Sequence, residues 1–145
     1  MYFQRSYDIF VSHAWTADSD YSGLIRLLDS DNNFKYRNYS VPRSNPLEIN
    51  ASTELGRRRQ LSVKLKEQVR QASVVIIIAG MYFNHREWIQ KEIDLANEMR
   101  KPILVVRPRG QQRVPIELQV YKMVYWNSSS IIDGIREVVD NKVYI

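Results

Sequence analysis

The residues of this chain best placed to do chemistry lie in Arg86-Glu87-Trp88-Ile89-Gln90-Lys91-Glu92-Ile93-Asp94-Leu95-Ala96. The stretch reads as the opening turns of a helix. Side chains three and four positions apart touch on a helix, so Glu92 has Trp88, Ile89, Leu95 and Ala96 as neighbours, all apolar. Glu87 has Lys91 four positions on, and Glu98 has Asp94 behind it and Lys101 ahead, so those two acids belong to a solvated face. Glu92 instead sets a carboxyl into the inward stripe, where an ionised group is costly unless it is paired or functional. Two readings follow: a structural Glu bonded to an arginine or a loop amide, or a site carboxylate with a perturbed proton affinity.

Other constellations offer less. His13 and His85 are the only histidines, and no acidic cluster adjoins either, so no metal site is expected. Ser12 and His13 are adjacent at a strand end, where side chains diverge, which disfavours a serine nucleophile activated by His13. Neither common phosphate-cradling glycine loop is present. A phosphate-accepting receiver domain would carry an aspartate at the end of its third strand, where this chain has Ala79-Gly80. Ser12 to Ser19 is a poor match to a flavin phosphate loop.

The elements that must position Glu92 can be read in order. Tyr7-Asp8-Ile9-Phe10-Val11-Ser12 has strand density, and a polar loop runs on from Ser12. A helix with Leu24, Leu27 and Leu28 on one face is predicted from about Asp20 to Asp31. Phe34 to Tyr39 alternates aromatic with polar residues, as an edge strand does. Val41 to Glu48 holds two prolines and is a loop, with irregular chain expected to about Gly56. Leu61, Leu65, Val69 and Ala72 mark a second helix. Ser73 to Gly80 and Pro102 to Val106 are continuous apolar runs, the pattern of strands buried on both faces under helices. Met123 to Trp126 is a short last strand, and Ser128-Ser129-Ser130 are expected to cap a terminal helix bearing Ile131, Ile135 and Val138.

This alternation predicts an α/β, flavodoxin-like fold: a five-stranded, mainly parallel sheet flanked by helices, with strand two at an edge. In the strand order 2-1-3-4-5, ligands bind beyond the carboxyl ends of strands one and three, where the order reverses. Ser12, His13 and Ala14 leave strand one there, and strand three leads to Trp88 and Glu92. The two unusual features thus converge on one crevice.

At 145 residues the chain, 1–145, is sized for one domain. It has no cysteine, which rules out disulfides and zinc–thiolate sites and fits a cytoplasmic setting. Val74 to Gly80 is too short to span a bilayer, and no signal peptide precedes the first strand. The net charge is +5, concentrated at Arg57-Arg58-Arg59 and Arg107-Pro108-Arg109. No nucleic-acid recognition motif accompanies it, so neither a membrane nor a nucleic acid is expected as partner. An anionic small ligand and a solvated basic face both remain compatible with it.

Tyr7-Asp8-Ile9-Phe10-Val11-Ser12-His13 resembles the first strand of TIR domains, and Trp88-Ile89-Gln90-Lys91-Glu92 resembles their tryptophan-to-glutamate motif. Asn38-Tyr39-Ser40-Val41-Pro42 with Pro46-Leu47 is similar to the narrower ThsB-like branch, the TIR component of the Thoeris anti-phage system. The likeness runs from Ser6 to about Val139. His13 and Ala14 stand where many TIR domains carry an aromatic and an arginine, and Ile89 replaces the usual cysteine. The resemblance implies cleavage of NAD at the nicotinamide–ribose bond with Glu92 as the catalytic residue. It further implies cyclisation of ADP-ribose into a signal for a separate effector, which need not touch this protein. NAD is then a substrate, with no cofactor or metal.

Such chemistry suits the crevice, because the departing nicotinamide leaves oxocarbenium character on the ribose, which a carboxylate stabilises. His13, Arg43 and Asn45 are candidates for gripping phosphates or ribose, and each reads equally as a solvated loop residue. Ser12, Ala14 and Trp88 complete the candidate substrate-binding set. A catalytically silent TIR scaffold acting by self-association, as a homo-oligomer, and a nucleoside deoxyribosyltransferase-like enzyme are the competing readings.

Overall fold

The computed structural model describes residues 5–12, 19–40, 52–82, 85–107, 110 and 113–140; for Ser19, Arg57, Arg58, Leu61 and Met81 it describes the backbone only. Strand β1 (Ser6–Ser12) leads to helix α1 (Ser19–Asp29) and strand β2 (Lys35–Asn38). Helix α2 (Glu54–Gln71) precedes strand β3 (Val74–Ile78), a 3-10 turn (Ala79–Met81) and helix α3 (Arg86–Glu98). Strand β4 (Ile103–Val106), a second 3-10 turn (Ile116–Leu118), strand β5 (Lys122–Val124) and helix α4 (Ser128–Asp140) complete the chain.

The five strands form one sheet in the order β2-β1-β3-β4-β5, and every neighbouring pair is parallel. The alternating segment, β2, is one of the two edge strands, and the continuous apolar runs are central. All five residues of β3 and all four of β4 are buried, because helices cover both faces of the sheet. Helix α1 packs with α4, and α2 with α3. That pairing is what right-handed crossovers produce when the chain reverses direction at β1. No helix among the described residues is long and apolar enough to cross a membrane.

Several boundaries differ from the sequence expectation. Helix α2 starts at Glu54 rather than beyond Gly56, since the Thr53 hydroxyl accepts the Gly56 amide at 3.0 Å and caps the first turn. The cap of α4 is Asn127, whose side-chain oxygen accepts the Ser130 amide at 2.8 Å. The serine run instead falls inside that helix, where the Ser128 hydroxyl donates to the Leu27 carbonyl of α1 at 2.8 Å. Strand β5 ends at Val124, and Tyr125 beyond it is exposed. Just beyond the end of helix α3, Arg100 adopts a φ of 57°. The amides of Arg100 and Lys101 close back on Asn97 and Ala96 at 3.1 and 2.8 Å, so a left-handed cap satisfies the last carbonyls. This stop frees the chain to enter β4 immediately after Pro102.

Candidate active site

Ser12 is the last residue of β1 and sits in register with Ile77 of β3. Two polar contacts secure that strand end. The ladder to β2 finishes with the Tyr39 amide on the Ile9 carbonyl at 2.8 Å. One step further, the buried Ser40 hydroxyl accepts the Val11 amide at 2.7 Å, so a side chain replaces the missing strand partner. The carboxyl end of β1 is therefore held on both sides, and Ser12 itself is 0% exposed.

Glu92 reaches the same place from α3. The 3-10 turn follows β3 without a spacer, and buried Tyr82 donates its hydroxyl to the Gln90 side chain at 3.1 Å, tying the turn to the helix. Helical side chains lean toward the N-terminus of their helix, which here is the end facing the carboxyl edge of the sheet. Ile89, Ile93, Leu95 and Ala96 are buried around Glu92. Glu87, Asp94 and Glu98 are exposed, so the inward and solvated faces divide as the spacing predicts.

Glu92 is 1% exposed, and the Ser12 hydroxyl donates a hydrogen bond to its Oε1. Burial pushes the carboxyl well above the ordinary glutamate range, and the Ser12 hydrogen bond pulls it back in part. The partner found here is thus a neutral hydroxyl; no salt bridge to Glu92 occurs among the described residues. A carboxyl in such a setting holds its proton readily and becomes a strongly acting charge once ionised, because little solvent screens it.

Of the candidate residues, the structure brings Ser12 and Glu92 into contact and places Trp88 one helical turn before Glu92, partly buried against the core. His13, Ala14, Arg43 and Asn45 lie outside the described residues. Ser40 is a neighbour of this strand end that the sequence reading does not single out. The signal was its position just after a short edge strand, where a small hydroxyl can complete the ladder. Among the described residues no group of three or more His, Asp or Glu side chains stands together as a metal-holding set.

The fold matches a 2-deoxyribosyltransferase from the psychrotolerant bacterium Bacillus psychrosaccharolyticus with a TM-score of 0.61, over 95% of this chain and 99% of that one. Sequence identity across the match is 14%, so the likeness is one of fold. No curated protein sequence matches the chain. Residues 10–113, which hold Ser12, Trp88 and Glu92, match the family model for the Thoeris protein ThsB, TIR-like domain, and the chain belongs to that family.

Proposed function

We propose that the protein cleaves the nicotinamide–ribose bond of NAD and cyclises the ADP-ribose part into a signalling nucleotide, an isomer of cyclic ADP-ribose, that activates an anti-phage effector. The observation that carries this reading is the Glu92 carboxyl, fully buried at the carboxyl edge of β1 and β3. Membership of the ThsB family supports the substrate class.

Glu92 is the catalytic residue in this reading. Nicotinamide in NAD carries a positive charge and departs as a neutral ring, so positive charge moves onto the ribose as the bond breaks. An ionised Glu92 facing that ribose stabilises the charge, and its buried setting strengthens the effect. Trp88, His13, Ala14, Arg43 and Asn45 are proposed to line the substrate path. Attack by a hydroxyl or ring nitrogen of the same substrate then closes the product, provided the pocket holds water away from the ribose. The closed position of Glu92 fits a low resting rate, with substrate or assembly opening the way to it. The effector is coupled through the diffusing product in the cytoplasm, with no direct contact required.

Incubation of the protein with NAD, followed by mass and chromatographic identification of the products, tests the proposal. Nicotinamide together with a cyclised product is the expected result. Nicotinamide with linear ADP-ribose replaces cyclase by hydrolase. Turnover of nucleosides without NAD cleavage supports the deoxyribosyltransferase-like alternative, and no turnover at any protein concentration supports the silent scaffold.

A further inference from the structure

The Ser12–Glu92 hydrogen bond crosses from the sheet to the helix that covers it, and it links two of the three buried polar or charged side chains among the described residues. Among the described residues, the other side chains that α3 buries beside Glu92 are Ile89, Ile93, Leu95 and Ala96. Strand β3 presents only aliphatic residues. From α2, Glu54, Arg59, Lys66, Glu67 and Arg70 are exposed and Lys64 is partly so, while Leu65 and Val69 face inward. On α3 itself, Glu87, Asp94 and Glu98 are exposed and Lys91 is partly so. Among the described residues, burial raises the proton affinity of Glu92 and the Ser12 hydroxyl lowers it.

We propose that Ser12 is a positioning residue, which fixes the Glu92 carboxyl through Oε1 and acts on the substrate only through it. The inference rests on Glu92 being the catalytic group. A serine that is 0% exposed at a strand end, with its hydroxyl already given to a carboxyl oxygen, has no second proton to offer a substrate. What it supplies is orientation: Oε1 is engaged with the protein, and Oε2 is the oxygen that meets the ribose. The same bond favours the ionised form of an acid that burial otherwise keeps neutral. Serine suits this position because it adds a donor without adding charge. A lysine or arginine there would hold Glu92 ionised at all times, and would compete with the cationic centre that the carboxylate must stabilise.

Ser12→Ala removes a single oxygen from the sheet end and tests the proposal. Carbon-13 labelling of glutamate carboxyls follows the Glu92 titration in the ligand-free protein, with Glu92→Gln identifying the resonance. The expected result is a midpoint moved upward by about one to two pH units, the scale of losing a hydrogen bond to a charged group. The low-pH limb of kcat for NAD cleavage moves upward with it, so activity on the acid side of that limb falls roughly tenfold or more and recovers as pH is raised. KM for NAD stays within about twofold, and Ser12→Thr, which keeps the hydroxyl, restores both profiles. A severalfold rise in KM with an unmoved limb means that Ser12 meets the substrate directly and overturns the proposal. An unmoved Glu92 titration overturns it as well. If the unaltered protein releases no nicotinamide, the NAD reading fails separately, and the titration alone decides whether Ser12 governs Glu92.

Discussion

Helices α3 and α4 are near twins in outline and differ in the one unusual residue that each buries. Each has thirteen residues, and each buries five of them against the sheet. In α4 the buried set is Ile131, Ile132, Gly134, Ile135 and Val139; in α3 it is Ile89, Glu92, Ile93, Leu95 and Ala96. Each set therefore has one member that is not an ordinary core residue. Gly134 is explained by packing alone: a Cβ built there meets Val124 Cγ1 at 2.7 Å and Leu104 Cδ1 at 3.1 Å, so the helix sits as close to β4 and β5 as a bare backbone allows. Glu92 gains nothing comparable. A leucine would fill the same stripe without the cost of desolvating an acid. An exception that packing explains serves the fold, and one that packing penalises points to chemistry.

The sharpest break of this comparison is Glu92→Gln, which preserves size while removing the charge. NAD cleavage should fall by about a hundredfold or more, the scale of losing a key electrostatic group, as read by nicotinamide release. Glu87→Gln, on the exposed face of the same helix, is the matched control. Equal activity in the unaltered protein and Glu92→Gln would remove the chemical half of the contrast.

Stability against pH gives the next largest effect. Burial raises the folded-state proton affinity of Glu92 above its unfolded value, so its contribution is fully present below the unfolded pKa and is lost as pH rises through the folded one. Starting from the ordinary glutamate value of 4.5, the unaltered protein should therefore lose stability with rising pH relative to Glu92→Gln. The loss amounts to about 1.4 kcal/mol per pH unit up to the folded value. Thermal melting of both proteins across that window checks the sign, and a steeper decline in the Gln variant would contradict it. Gly134→Ala sharpens the other half. It should cost about 1–3 kcal/mol in denaturant melts by overpacking Val124 and Leu104, despite the better helix propensity of alanine. NAD cleavage per folded molecule should stay unchanged.

The two helices also differ in what their sequences disclose. Both amphipathic stripes are legible at a spacing of three and four, and the apolar runs of β3 and β4 are legible as buried strands. Glu92 stands out as a misfit in its stripe, and the topological rule brings the end of β1 toward it. The bond itself is not legible, because Ser12 and Glu92 are joined only through strand register and helix tilt. Local capping is harder still. Asn127 and Ser128 both look like caps, and only the bond from Ser128 to the Leu27 carbonyl shows that the serine is spent on holding α1. Thr53 was hidden for the opposite reason, since α2 opens on residues with little apolar periodicity and its start rests on one hydroxyl.

The separation of 80 positions between Ser12 and Glu92 also bears on biosynthesis. β1 lies inside the sheet between β2 and β3, and β3 follows only after the whole of α2. While the ribosome is still making α2, the emerging N-terminal segment has its edge neighbour at most, and the carboxyl group it will hold does not yet exist. Long-range parallel pairing of this kind forms late in folding. A nascent or prematurely terminated chain therefore carries the serine without the acid, and the Ser12–Glu92 pair comes into being only when α3 docks.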